Sequence, residues 1–86
     1  MVFNVQVDDD TGRSRHRVTL QPAFYEKIRG ADATAAQCIE AAFRFLLSRE
    51  SRSDILPSFD LNVILLYFPD FETELPRFIE DLRKIR

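Results

Sequence analysis

Hydrophobic and polar residues alternate in two runs near the start of the chain, at residues 2–7 and 14–20. Alternation with a period of two is the pattern of a strand that is buried on one face. In the second run, Val18 and Leu20 are predicted to face the core. Residues 8–12, which read DDDTG, are typical of a turn. The pattern therefore predicts an N-terminal β-hairpin.

Residues 34–49, which read TAAQCIEAAFRFLLSR, carry the strongest helix pattern in the chain. Thr34 and Gln37 have the spacing of a capping box, in which each side chain satisfies a backbone donor at the helix start. A rod of about sixteen residues is roughly 24 Å long, so we expect this helix to be the centre of a small domain. Its apolar stripe recurs every three or four positions and contains Ala35, Cys38, Ile39, Ala42, Phe43, Leu46 and Leu47.

A short helix is predicted between the hairpin and the central helix. Pro22 suits its first turn, and Gly30 can end it in the left-handed conformation. After the central helix, the polar residues and the proline of residues 51–58 predict a connector.

The pattern predicts two more helices after this connector. The first follows Ser58 or Asp60 as its cap and ends before Pro69. The last begins with Thr73 as its cap, so that Pro76 falls in the first turn, where a missing amide hydrogen costs little. Its apolar stripe contains Leu75, Phe78, Ile79, Leu82 and Ile85.

The length of the chain allows one domain, residues 1–86. We expect the α+β class, with an N-terminal β-hairpin followed by three or four α-helices. A chain this short buries only about 60–65% of its unfolded surface, so we expect a homodimer to add to its stability. The charged fraction of 30% is that of a folded globular protein.

The composition also suggests a compartment. Cys38 is the only cysteine and has no partner for an internal disulfide, which suits a reducing environment. The N-terminus lacks the basic segment and apolar core of a signal peptide. The longest apolar run, residues 63–68, is far shorter than the roughly twenty residues that cross a bilayer. We therefore expect a cytoplasmic protein with no membrane segment.

The sequence contains no recognisable pattern for catalysis. His16 lies on the second predicted strand outside any nucleophile motif, and Cys38 lies on the apolar face of a helix, where a thiol behaves as a small hydrophobe. The acidic triplet at residues 8–10 lacks the ligand spacing of a calcium loop. Two glycines eighteen positions apart cannot form a phosphate-binding loop. We expect no enzyme, no cofactor and no metal.

The middle of the chain is basic, because residues 11–52 carry eight bases against four acids. Within this part, Arg13, Arg15, Arg17 and Thr19 occupy alternate positions on the face of the strand that points away from the core. Arginine pairs bidentately with phosphates and with guanine edges. This row is therefore the candidate DNA-binding surface, and a solvated basic face without a ligand is the alternative reading.

The segment from His16 to Leu47 resembles the ribbon-helix-helix family of DNA-binding regulators and antitoxins. HRVTLQPAFYEKI is similar to the family's strand and first helix, and TAAQCIEAAFRFLL is similar to its second helix. The resemblance implies that two chains pair one strand each into an antiparallel ribbon, whose outward side chains enter the major groove. The start of the second helix would contact a phosphate. The matching positions are Arg15, Arg17 and Thr19 for the groove and Thr34 for the phosphate.

Two functional hypotheses follow. The first is a small non-enzymatic DNA-binding regulator or antitoxin-like protein, with duplex DNA as its partner. The second is a protein–protein interaction module, in which the acidic tail or the aromatic residues Tyr67, Phe68 and Phe71 bind a protein partner. The tail SFDLNVILLYFPDFETEL resembles that of small uncharacterised bacterial proteins, a resemblance that implies no activity.

Overall fold

The computed structural model describes residues 1–30 and 32–84 of the chain. These residues form a three-stranded sheet and four α-helices, which confirms the predicted α+β class with an N-terminal hairpin. The elements in chain order are β1 (Val2–Asp9), β2 (Gly12–Thr19), α1 (Pro22–Ile28), α2 (Ala35–Arg49), β3 (Ser58–Asp60), α3 (Ile64–Tyr67) and α4 (Phe71–Lys84).

β2 is the central strand of the sheet. β1 pairs antiparallel with one edge of β2 along the whole hairpin. β3 pairs in parallel with the other edge, opposite residues 17–19, and the N–H of Arg17 donates to the carbonyl of Pro57 at 2.8 Å. The predicted connector at 51–58 therefore ends in a strand. Three residues are too few to show an alternating pattern, so this strand depends on its pairing with β2.

The turn of the hairpin is held by the side chain of Asp9. Its carboxylate accepts hydrogen bonds from the N–H of Thr11 at 2.8 Å, from the Thr11 hydroxyl at 2.7 Å and from the N–H of Gly12 at 3.1 Å. Gly12 has φ +146°, a conformation that side chains disfavour. Arg52, from the segment after α2, donates to Asp9 at 3.0 Å. Hydrogen bonds from Thr11, and then from Arg52, lower the pKa of Asp9 to about 2.

The central helix begins as predicted. The hydroxyl of Thr34 accepts from the N–H of Gln37 at 3.1 Å, and the side chain of Gln37 accepts from the N–H of Thr34 at 2.9 Å. The predicted stripe missed Ala41 and Phe45, which are fully buried, and it included Leu47, which is exposed. The reason is that α2 packs against the sheet on one side and α4 on the other, so one stripe does not describe its buried surface.

The C-terminal helices differ from the prediction at their starts. α3 is a single turn after a 3-10 turn at Leu61–Val63, and Asp60 caps that turn by accepting from Asn62 N–H at 3.4 Å. α4 begins at Phe71, so the predicted cap at Thr73 is wrong and Pro76 lies inside the helix. Phe71 is fully buried. Its packing in the core favours a helix that starts before Thr73, so Pro76 does not mark the first turn. The predicted stripe position at residue 85 lies outside the described residues.

Candidate functional site

The outward face of the sheet carries the predicted arginine row. β2 alternates, so His16 and Val18 are buried while the three arginines are exposed. The strand register places Asn4 opposite Arg17 and Gln6 opposite Arg15. We call this surface the arginine face; its residues are Asn4, Gln6 and Asp8 on β1 and Arg13, Arg15, Arg17 and Thr19 on β2.

The positive charge of the arginine face comes mainly from two of its three arginines. Arg13 Nε donates to Asp8 Oδ1 at 2.6 Å, and this bond, with a second one from Gln6, holds the pKa of Asp8 below its usual value. Within the described residues, no carboxylate lies within 4.0 Å of Arg15 or Arg17. Their guanidinium groups are therefore available to an anionic ligand.

A shallow depression of about 380 Å³ lies between these two arginines and the amide side chains of β1. Asn4 and Gln6 border it on one side, Arg15 and Arg17 line it, and Pro57 borders the other side. Guanidinium groups donate to phosphates, and both amides and guanidinium groups match base edges in the major groove. The depression therefore brings together the side-chain types that nucleic acids pair with.

Of the two threonines of the predicted site, Thr19 lies at the end of the arginine face and Thr34 lies outside it. Thr19 is half-buried at the end of β2, opposite Val2 and Asp60. Thr34 begins α2, which packs against the other face of the sheet, and its hydroxyl is already engaged with Gln37. The structure therefore brings Arg13, Arg15 and Arg17 together and leaves Thr34 outside the arginine face.

The order β2–α1–α2 is the strand–helix–helix order that the family resemblance implies. The family arrangement also needs the matching strand to pair with its copy in a second chain. Here β2 is flanked by β1 along its whole length and by β3 at residues 17–19. An intermolecular β2 ribbon would therefore require one of these strands to detach, and membership of the family stays a prediction.

The contacts of His16 and the burial of Cys38 are those of residues that stabilise the fold. Nδ1 of His16 donates to the carbonyl of Leu56 at 2.8 Å, since a carbonyl can only accept, and Nε2 lies 2.8 Å from the hydroxyl of Ser14. Cys38 is fully buried, and this burial raises the pKa of its thiol. Among residues 1–30 and 32–84, no group of three or more His, Cys, Asp or Glu side chains could hold a metal ion.

A second concave surface is formed by β3 together with the end of α2, the segment that follows α2, and α3. It has a volume of about 330 Å³ and is lined mainly by apolar side chains from α2, the segment after it and α3. Tyr67 of α3 lines this surface and is 66% exposed, and Leu66, next to it in the chain, is 80% exposed. We call this surface the apolar pocket; its apolar lining residues are Leu46, Ile55, Leu56, Phe59, Val63, Ile64, Tyr67 and Phe68.

Two carboxylates also line the apolar pocket, Glu50 and Asp54. Burial, and then the neighbouring charge of Asp54, raise the pKa of Glu50. A cationic group placed at this position would favour the charged form of Glu50 again. Of the three aromatic residues suggested as partner contacts, Tyr67 and Phe68 line this pocket, whereas Phe71 is fully buried in the core.

Comparisons of the chain with protein-family models, with curated protein sequences and with solved structures return no match. None of the described helices has both the length and the apolar character needed to cross a membrane. The assignment of a function therefore rests on the geometry of the arginine face and of the apolar pocket.

Proposed function

We propose that this protein is a small non-enzymatic regulator that binds duplex DNA through the arginine face. The observation that supports this proposal is that Arg15 and Arg17 extend from the central strand without a carboxylate partner among the described residues. An unpaired, solvent-exposed guanidinium can bind a phosphate without first breaking an ion pair. The buried thiol of Cys38 fits the cytoplasm as the compartment in which such a regulator would act.

The three arginines have unequal roles in this proposal. Arg15 and Arg17 contact backbone phosphates, while Asn4 and Gln6, which lie opposite them on β1, contact base edges or sugars. Arg13 contributes less, because Asp8 compensates its charge at 2.6 Å. The antitoxin form of this function rests on the ribbon-helix-helix resemblance and needs a toxin as second partner.

The test is a titration of a labelled DNA duplex with the full chain at about 50 and 200 mM salt, because phosphate contacts make affinity fall with salt. The variants Arg15→Ala and Arg17→Ala are each expected to weaken binding and to reduce the salt slope by about one unit. Arg77→Ala is the matched control, since it removes an exposed arginine from α4. Equal binding by all four proteins would overturn the proposal.

The apolar pocket supports a second candidate function, the docking of a basic amphipathic helix from a protein partner. Tyr67 lines this concave apolar surface and is 66% exposed, and Leu66, next to it in the chain, is 80% exposed. Exposed apolar patches of this kind mark interaction sites. Glu50 and Asp54 add negative charge to the pocket, so the complementary ligand carries lysine or arginine next to an apolar anchor.

This second function can be tested with a synthetic helical peptide of about 15 residues, a length at which isolated helices become stable, with leucines on one face and lysines on the other. Saturable binding to the native protein is expected, and the double variant Leu66→Ser/Tyr67→Ser is expected to lose it. A peptide with glutamates in place of the lysines should bind more weakly. Equal binding of the two peptides would exclude the charge complementarity.

A further inference from the structure

β1 is an edge strand with an unusual lack of protection. Its outer edge pairs with no described element, and its ladder with β2 runs without a bulge. Native edge strands are normally blunted by lysines, prolines, bulges or inward-pointing charges. Residues 2–7, which read VFNVQV, contain none of these. The edge is therefore a template for the pairing of another strand.

The hydrogen bonds of the hairpin show which backbone groups face this free edge. Met1 and Leu20 exchange two backbone bonds, of 2.7 Å and 3.1 Å. In an antiparallel pair, residues with inward and outward backbone groups alternate. The N–H and C=O groups of every second residue on β1 therefore point away from β2; these residues are Val2, Asn4, Gln6 and Asp8.

We propose that β1 pairs with β1 of a second copy of this chain, antiparallel and across a two-fold axis at Val5. This register places Asn4 opposite Gln6 of the second copy, and it aligns the free backbone groups of both chains. On the inner face, Phe3 lies opposite Val7, and Val5 lies opposite its own copy. From position 3 to position 7, each side chain therefore meets one of its own kind, apolar inside and amide outside, and Val2 lies opposite Asp8 of the second copy at each end of the ladder.

The distribution of charge selects this antiparallel arrangement. The acids of β1 lie only at its C-terminal end, at Asp8 and Asp9. An antiparallel pair puts the two acidic ends on opposite sides of the interface, whereas a parallel pair would place like charges next to each other. A shift of the register by two residues toward the turn would bring Phe3 opposite Asp9 on the inner face. The register centred at Val5 keeps the acidic ends apart and Phe3 opposite Val7, so an acid meets an apolar residue only at the solvent-exposed ends, where Asp8 lies opposite Val2.

The surface next to β1 supports a second copy as the occupant. A shallow groove of about 660 Å³ separates the inner side of β1 from α2. Phe3, Val5 and Val7 are only half-buried there, and Leu47 on α2 is 41% exposed. A second copy would bring the same apolar side chains to this groove, so pairing of the strands would also cover apolar surface that one chain leaves in contact with water.

The dimer would also change the arginine face. Across the joined sheet, four side chains fall in one row. They are Arg15 and Gln6 of one copy, followed by Asn4 and Arg17 of the second copy. A second, symmetric row lies about 7 Å away along the strands, and the arginines of one row are about 14 Å apart, given a strand spacing of about 4.8 Å. Four guanidinium groups would then surround four amides with two-fold symmetry. The dimer itself needs no DNA, so it can be tested separately from the proposed function.

The first test is light scattering of the full chain without DNA. The native protein is expected to have twice the mass of one chain. The variant Asn4→Lys/Gln6→Lys places like charges opposite each other and is expected to be monomeric, as is Asn4→Glu/Gln6→Glu. An equimolar mixture of these two variants is expected to dimerise again. A control with lysines at the exposed positions of Ser53 and Thr73 should remain dimeric.

The register is tested by oxidation of single-cysteine variants in a Cys38→Ala background. Val5→Cys is expected to form a disulfide between copies, because facing residues at the axis have Cα atoms about 4.5 Å apart. Val7→Cys is expected to form none, since its copy lies several residues away. A monomeric native protein would overturn the proposal. So would a dimer that survives the lysine variant, or one that cross-links at position 7 and not at position 5.

Discussion

The arginine face and the apolar pocket are held in place by different kinds of structure. The face depends on backbone hydrogen bonds, because the register of β1 and β2 alone places its side chains. The pocket depends on side-chain packing, in particular on an aromatic cluster in which the Phe45 ring lies 5.2–5.8 Å from the rings of Phe68, Phe71 and Phe78. A change in the aromatic core should therefore reach the pocket before it reaches the face.

The largest expected effect is that of Phe45→Ala. Phe45 is fully buried, and loss of a core phenylalanine typically lowers the free energy of unfolding by about 3–5 kcal/mol. Urea denaturation followed by circular dichroism measures this change. Ile39→Ala is the control from the sheet side of α2, where the buried Ile39 lines the groove beside β1. If peptide binding to the pocket suffers equally in both variants, the two regions are not separately supported.

A smaller effect is expected from His16→Ala. This change leaves the carbonyl of Leu56 and the hydroxyl of Ser14 without their partner, which typically lowers the free energy of unfolding by about 1–3 kcal/mol. The amide of Arg17 should also exchange its hydrogen faster, because its bond to Pro57 follows Leu56 directly. Ser14→Ala, which removes only the contact at Nε2 of His16, should lower the free energy of unfolding by less. If both variants lower the free energy of unfolding equally, the bond to Leu56 is not the main contribution of His16 to stability.

Acid should weaken the turn beside the arginine face. The folded-state pKa of Asp9 is about 2 against an ordinary value of 3.8. A depressed pKa contributes stability that is present above the ordinary value and is lost as the pH falls toward the folded value. The free energy of unfolding should therefore fall between about pH 4 and 2. Asp9→Asn should reduce this fall, and an unchanged acid limb in that variant would exclude Asp9 as its source.

The smallest effects on stability are expected at the exposed residues of the two surfaces. Tyr67→Ser and Arg15→Ala should each change the free energy of unfolding by less than about 0.5 kcal/mol, because both side chains are exposed. The two variants should nevertheless separate the functions. Tyr67→Ser should affect peptide binding only, because Tyr67 lines the apolar pocket, and Arg15→Ala should affect DNA binding only. Thermal denaturation and the two titrations on the same samples measure both quantities.

The sequence predicts the parts of this fold whose signals are periodic and local. The alternation of β1 and β2 placed the arginines on the exposed face, and the spacing of Thr34 and Gln37 predicted the start of α2. Both signals come from neighbouring residues in the chain. In both cases, the backbone conformation determines where the side chains of neighbouring residues point.

The remaining features depend on contacts between distant residues. β3 is too short to have a period, and it forms only against β2. Pro76 suggested a helix start that the burial of Phe71 overrides. The apolar pocket joins residues from α2 to α3 across an irregular segment, so no single stretch of sequence marks it. Two of the aromatic residues that the sequence suggested as partner contacts, Tyr67 and Phe68, do line it.

The dipeptide Leu56-Pro57 joins the two surfaces. The side chain of Leu56 lines the apolar pocket while its carbonyl accepts from His16. Pro57 borders the depression on the arginine face, and its carbonyl accepts from Arg17. If a ligand at one surface shifts this dipeptide, we expect the free energy of binding at the other surface to change. Because such a coupling is reciprocal, a pocket ligand that weakens DNA binding by a given factor would itself be released by DNA by the same factor.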